Sequence, residues 1–368
     1  MCTNIVYLMQ NDSKINDIRN AKDLKTTTFS GFKKTEVKKE LLKGMCESLI
    51  EPACYWGAEM VCSSLYLELW DTIILFYSRH VHIGDPMITM YLQLRMDKFK
   101  DIVRAGYVSD EISMRNNENI RKLFAEILCV LCDANKKHKL EQVKISPEYF
   151  NITNIAHKLK APDVSYADQV FKEGDPKEIY VAINELAYSL SAQGKNVLNA
   201  CFWIEWIMEY RRICSSKKQP CHCVRREFVQ VDDKLQTQIE WVIWELFIRN
   251  ASSHKNENVK RIITSLFSLY TLKYSQGTFK KRRYVLYAAT SILTETFECQ
   301  KEIIKDESKG KIKSVCSNIN HVYKQIKEKE QAQMEEYRAI DAKQSSLEKS
   351  IDKLDKINIF NTTYVPRV

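Results

Sequence analysis

Residues 65–81 read LYLELWDTIILFYSRHV, a stretch that is apolar nearly all the way round a helix. Its apolar run, Leu65–Tyr77, is interrupted by Glu68 and Asp71, so it predicts a helix at the centre of a core, too short and too charged to span a membrane. Outward from it, TEVKKELLKGMCESL places Val37, Leu41, Leu42 and Met45 at helical spacing behind Thr35 as N-cap. PACYWGAEMVCSS opens with Pro52 at the first helical position. On the other side, Asp85 and Pro86 follow Gly84 as cap and first residue of MITMYLQLRMDKFKDIV, and a further helix covers 110–134.

The chain has 368 residues but only 9 Gly and 7 Pro, which disfavours sandwiches and doubly wound sheets, whose turns need both. The fold class read from this is all-α. Two helical lobes are expected, 35–134 and 177–300, joined by a looser segment, 135–176, in which Pro147, Pro162 and Pro176 mark turns or helix starts. Residues 1–34 read as a loose N-terminal arm with a Thr-rich patch at Thr26–Thr28. Residues 301–368 read as a charged helical extension. Ile326, Ile340, Leu347 and Leu354 share one seven-residue register, and Tyr337 and Ile351 the other, so a coiled coil is a candidate there. Ala53-Cys54-Tyr55-Trp56 recurs as Ala200-Cys201-Phe202-Trp203, which suggests a degenerate duplication or a coincidence of four residues. Trp56, Trp70, Trp203, Trp241 and Trp244 all fall on apolar helical faces and are expected to be buried.

Several chemistries are missing. The sequence has no phosphate-binding glycine loop, no GxSxG, no HExxH and no kinase signature. The N-terminus carries no secretory signal pattern, so the twelve cysteines read as reduced thiols in the cytoplasm or nucleus. Cys214, Cys221, His222 and Cys223, in a loop spanning 214–230, come nearest to a metal set, but their spacing matches no paired zinc motif. Cys129 and Cys132 form a CxxC placed mid-helix, away from the helix N-terminus that activates such thiols. His80 and His82 read as structural. Glu51, Glu59, Glu68 and Asp71 lie among aromatics without a spacing that pairs them. Neither a cofactor nor a metal is expected.

Net charge is +9, and the cations cluster. Arg211, Arg212, Lys217, Lys218, Arg225 and Arg226 surround the cysteine loop. Lys280, Lys281, Arg282 and Arg283 follow Gly277, with Lys273 and Tyr274 before them and Tyr284 and Tyr287 after. Such a patch could neutralise phosphates while the tyrosines stack bases. Four cations at a helix start also oppose the helix dipole, which hints at an anionic partner.

The stretch EPACYWGAEMVCSSLYLELWDTIILFYSRHVHIGDP (51–86), with KYSQGTFKKRRYVLYAATSILTE (273–295), resembles a family of helical proteins of unassigned activity from large nucleocytoplasmic DNA viruses. The resemblance implies expression in infected eukaryotic cells, in cytoplasm, nucleus, viral factory or virion, and no named activity. A fainter similarity is to the helical lid and collar regions of clamp-loader-type AAA+ proteins, although the phosphate loop of an ATPase is missing. The expected function is a non-enzymatic interaction or scaffold protein with a protein partner and no membrane. The alternatives are a nucleic-acid-binding accessory factor in viral replication or transcription and, third, a metal-dependent enzyme around the cysteine loop.

Overall fold

The structure, a computed structural model, describes residues 13–330 except 18, 20–22, 25, 109, 300 and 301, together with 343, 348 and 349. Among the described residues the fold is all-helical; no strand forms, and one isolated bridge joins Thr27 to Lys33. The helices are α1 (Lys34–Cys46), α2 (Ile50–Cys62), α3 (Tyr66–Phe76), α4 (Ile88–Arg104) and α5 (Glu118–Asp133). After short helical turns in 147–179 come α6 (Tyr180–Leu190), α7 (Val197–Ser216), α8 (Glu240–Ser252), α9 (Glu257–Tyr270), α10 (Thr278–Thr294) and α11 (Asp306–Lys327).

Asparagine sets several starts. The side chains of Asn117, Asn196 and Asn256 accept backbone N–H bonds at the first turns of α5, α7 and α9. Other starts differ from the expectation. Helix α1 begins at Lys34 with Lys33, not Thr35, as its cap, and Pro52 is the third residue of α2, where its missing N–H is equally harmless. Residues 113–116 form a separate short turn before α5.

The buried apolar side chains of both halves form one contiguous cluster. Helix α4 packs on α9, and α3 on α10, so the first half supplies one wall of a core whose other wall is the second half. Helices α2 and α5 approach closely at Gly57, where a Cβ would overlap the side chain of Leu128. The described part of the N-terminal segment is packed rather than loose: Ile15, Leu24, Phe29 and Thr28 are all buried. It lacks periodicity because side chains hold it. Phe29 N–H donates to Ser63 Oγ at 2.8 Å, and Ser30 N–H to Glu59 Oε1 at 2.7 Å. Residues 306–327 are likewise not an extension, since Ile312, Ile319, Tyr323 and Ile326 are buried as α11 packs on α5 and α2. Of the seven-residue registers only Ile326 is described; Tyr337, Ile340, Leu347, Ile351 and Leu354 lie outside the described residues.

Helix α3 runs into a π-helical turn, Tyr77–Val81. Widening the turn frees carbonyls, and the connecting segment takes them up: Leu140 N–H donates to Arg79 O at 3.0 Å and Lys137 N–H to His80 O at 2.8 Å. His82 comes next at φ +31°, a conformation that costs a non-glycine residue energy, held by its Nε2 against His138 O at 2.9 Å. Burial lowers the His80 pKa to about 4, with Arg79 and Lys139 adding to it, and burial also lowers that of His82, so both rings are neutral near pH 7.

Asp85 closes this corner and is 2% exposed, with an Oδ1 that has no hydrogen-bond partner. Burial raises its pKa from 3.8 to about 6, against the opposing pull of Lys305. Between those two values the folded state binds more protons than the unfolded one, so stability contributed by neutral Asp85 is lost as pH rises through about 6. Asp85→Asn is expected to melt higher than the parent above pH 6 and to flatten the fall in melting temperature between pH 4 and 6. Parallel melting curves that keep the parent's slope would show that Asp85 is hydrated and not responsible.

Candidate functional site

The basic run after Gly277 divides on folding. Arg282 is 4% exposed and sits at a kink in α10, with φ −114° and ψ 22°. Its guanidinium pairs with Asp71 at 2.6 Å and donates to the carbonyls of Tyr270 at 2.8 Å and Leu272 at 2.7 Å. It thus caps the negative end of α9, and this cation at the start of its own helix is stabilised by the preceding helix rather than by a ligand. Arg283 pairs with buried Glu205 at 3.1 Å. Burial raises the Glu205 pKa, opposed by Arg283 and by the hydroxyl of Tyr287, which donates to Oε1 at 2.9 Å. Lys280 and Lys281 remain exposed.

A second carboxylate, Glu240, gathers the other basic cluster. It is fully buried and accepts from Arg211 at 2.8 Å and from the hydroxyl of Tyr274. Arg211 also donates to Gln276 O at 3.4 Å. The end of α7 and the turn before α10 therefore meet, as the sequence clustering suggested, but Arg211 and Tyr274 are spent in making them meet. Tyr287 is 1% exposed, and Tyr284 lies under Arg79, whose guanidinium carbon is 4.8 Å from the ring centroid. The three tyrosines read as base-stacking platforms are thus engaged inside the protein.

The cysteine loop is pinned rather than open. Arg226, fully buried, bridges Asp175 at 2.7 Å and Glu245 at 2.8 Å. Cys214 and Cys223 are each 3% exposed, Cys221 is half-buried, and exposed His222 places Nδ1 3.3 Å from Thr237 Oγ1. Burial raises the Cys221 thiol to about 12, reinforced by the neighbouring Cys214. Among the described residues no three His, Cys, Asp or Glu side chains gather as a metal-ligand group. Arg225, Lys217 and Lys218 point to solvent, and Arg212, also exposed, pairs with Glu209. Cys129 meets Cys54 rather than Cys132, sulfur to sulfur at 4.0 Å across the α2–α5 contact.

A sizeable groove lies elsewhere, at a position the sequence did not single out. Its volume is about 1120 Å³, and it runs between the N-terminal half of α2 and α11. Tyr55 and Trp56 form its aromatic wall, packed edge to face at 5.2 Å between ring centroids. Trp56 is half-buried, unlike Trp70, Trp203, Trp241 and Trp244, which are at most 1% exposed. Phe32 supports it from behind at 5.3 Å. The facing wall is mainly polar, with Ser314, Ser317, Asn318, His321 and Gln325 beside Lys324, and Glu51 and Glu118 also line the groove. At the floor, Ser13 and Asn320 accept hydrogen bonds from buried Arg121 at 3.1 and 3.0 Å. The signal was present in the sequence, since those five α11 positions recur at helical spacing as a polar stripe. A charge-based search passes over it.

No protein-family model matches the chain, and no curated protein and no solved structure does. Among the described residues no helix is long and apolar enough to cross a membrane.

Proposed function

We propose that this chain is a non-enzymatic helical interaction protein, working in the setting its resemblance to proteins of large nucleocytoplasmic DNA viruses implies. The groove between α2 and α11 carries the proposal. An aromatic wall facing a polar stripe, with Lys324, Glu51 and Glu118 among the lining side chains, suits an amphipathic helix, which lays apolar anchors on the rings and polar residues along the rim. Buried Glu205, Glu240 and Glu245 are each paired with an arginine, which suits a structural role for these three. Tyr55→Ser with Trp56→Ser is expected to cost a docking helix about 2 kcal/mol or more, roughly thirtyfold in affinity. Quantitative co-purification of the parent and the double variant from the cells that make the protein is the test. A partner lost with the rings supports the proposal, and an unchanged partner set rejects it.

Nucleic acid is the second candidate partner, favoured by the Arg211–Gln276 contact that draws two basic segments together. Lys217, Lys218, Lys273, Lys280 and Lys281 are exposed lysines there, beside exposed Arg225 and the Glu209-paired Arg212. Changing the five lysines to Ser is expected to flatten the slope of log K against log salt on duplex DNA by roughly two to four units, at about 0.9 per phosphate. Arg282 and Arg283 are kept in that variant, since their loss would leave partly buried Asp71 and buried Glu205 without their arginine partners. A parent chain without salt-dependent binding removes this alternative.

A further inference from the structure

We propose that Cys54 and Cys129 are an oxidative modification site, at which hydrogen peroxide forms a reversible disulfide that fastens α2 to α5 behind the groove. The two sulfurs stand 4.0 Å apart, on residues separated by 75 positions in the chain. A disulfide holds its sulfurs at about 2.05 Å, on Cα atoms about 4.4–6.8 Å apart, so it forms only where two backbones already run close. They do so here. Gly57, one turn after Cys54, admits no Cβ, because one would overlap the side chain of Leu128, the residue before Cys129.

The two thiols take different parts. With Cys54 as donor, the contact favours a thiolate at Cys129, whose pKa falls below the ordinary thiol value despite burial, while that of Cys54 rises. Cys129 is therefore the nucleophile. Its sulfur attacks one peroxide oxygen, the O–O bond breaks, and the departing hydroxide takes the Cys129 thiol proton and leaves as water. A sulfenic acid remains on Cys129. The Cys54 sulfur then attacks the Cys129 sulfur. The S–O bond breaks, hydroxide leaves as a second water with the Cys54 thiol proton, and the S–S bond forms. Two thiols lose two electrons, and one peroxide is reduced to two waters.

Both thiols are buried, at 3% and 0% exposed, but peroxide has a route toward them. An open crevice of about 230 Å³ over α5 and α11 is lined by Glu126, one turn before Cys129, and by half-buried Cys316. Burial raises the Cys316 thiol to about 11, with Cys129 adding to it, so the crevice offers peroxide little competing thiolate. Tyr55 and Trp56, the aromatic wall of the groove, follow Cys54 directly on α2. The disulfide would hold their helix against α5. That consequence rests on the groove reading, whereas the bond itself does not.

Peptide mapping of the purified full-length chain tests this. The chain is treated with hydrogen peroxide, and the remaining thiols are blocked with iodoacetamide in denaturant. The peptides carrying Cys54 and Cys129 are expected to be joined, and dithiothreitol to release them. Cys316→Ala should still form the bond. Cys54→Ala should lose it and leave at Cys129 a sulfenic acid that dimedone captures. If circular dichroism shows Cys54→Ala to be unfolded, the map of the parent decides alone. Amides of α2 should exchange at least roughly tenfold more slowly in the oxidised chain than in the reduced one. Cys54 and Cys129 both still open to iodoacetamide once exposed Cys46 has oxidised overturns the proposal. So does a bond from either to another cysteine, or joining that occurs only in urea. A bond that forms without slowing exchange in α2 overturns its hold on the groove wall. These measurements need no partner and docking is measured on the reduced chain, so either reading can fail while the other stands.

Discussion

Replacing Arg226 with alanine is expected to cost about 3–5 kcal/mol of folding stability, as breaking a buried ion pair from one side generally does. Its side chain is 1% exposed. Two guanidinium nitrogens grip Asp175, at 2.9 and 2.7 Å, and Nε donates to Glu245 at 2.8 Å. The carbonyls of Val170 at 2.9 Å and Val224 at 2.5 Å complete the set. Alanine would leave Asp175 buried without its cation, whereas Glu245 would retain Arg249 at 3.0 Å. Burial alone would raise the Asp175 pKa; hydrogen bonds from Arg226 and from the N–H groups of Lys172 and Val224 override it, and the net shift is downward. The stability from that shift is present above the ordinary carboxylate pKa and is lost as pH falls below it. Urea denaturation of Arg226→Ala, Asp175→Ala and the double variant measures the coupling. Each single variant should lose most of what the double variant loses. Independent, additive losses would show that the two side chains act separately. Arg226→Lys should recover little, because a lysine cannot hold Asp175 with two nitrogens while reaching Glu245.

The same network explains how the sequence both informs and misleads. Helical periodicity located nearly every long element, because an apolar stripe is a local property that tertiary packing preserves. The basic clusters were also visible, yet charge alone does not reveal where a cation is neutralised. Arg282 finds Asp71 across 211 residues, and Arg283 finds Glu205 across 78. Nothing near either arginine announces that partner. The repeated Ala-Cys-aromatic-Trp motif behaves similarly. Ala53 and Ala200 are both fully buried, and Cys54 and Cys201 are each 3% exposed, so the first two positions match. The fourth does not: Trp203 is 1% exposed, whereas Trp56 is only partly buried. Four residues fix a helical face but not what covers it. Whether a tryptophan is core or docking surface is decided by neighbours remote in sequence, here α11. The groove was legible only in part for the same reason: its aromatic wall and its polar wall lie on helices some 260 positions apart, each unremarkable alone.

Trp70→Ala is expected to cost about 3–5 kcal/mol, comparable to the loss of Arg226 but by another route. Trp70 lies on α3, 1% exposed, with its ring 5.7 Å from Phe124 and 6.0 Å from Phe99, both edge-on. Its Nε1 has no hydrogen-bond partner, so packing supplies the whole effect. Trp70→Phe should therefore recover much of the loss, since it forfeits ring volume but no hydrogen bond. Trp241 is equally buried, but its Nε1 donates to Leu235 O at 2.7 Å. Trp241→Phe should lose about 0.5–1.5 kcal/mol more than Trp70→Phe, for the bond it gives up. Trp56→Ala should cost well under Trp70→Ala, because that side chain is already partly exposed to water. Urea midpoints read by far-ultraviolet circular dichroism rank the four variants. A Trp56→Ala loss as large as that of Trp70→Ala would place Trp56 in the core and leave the groove without its aromatic wall.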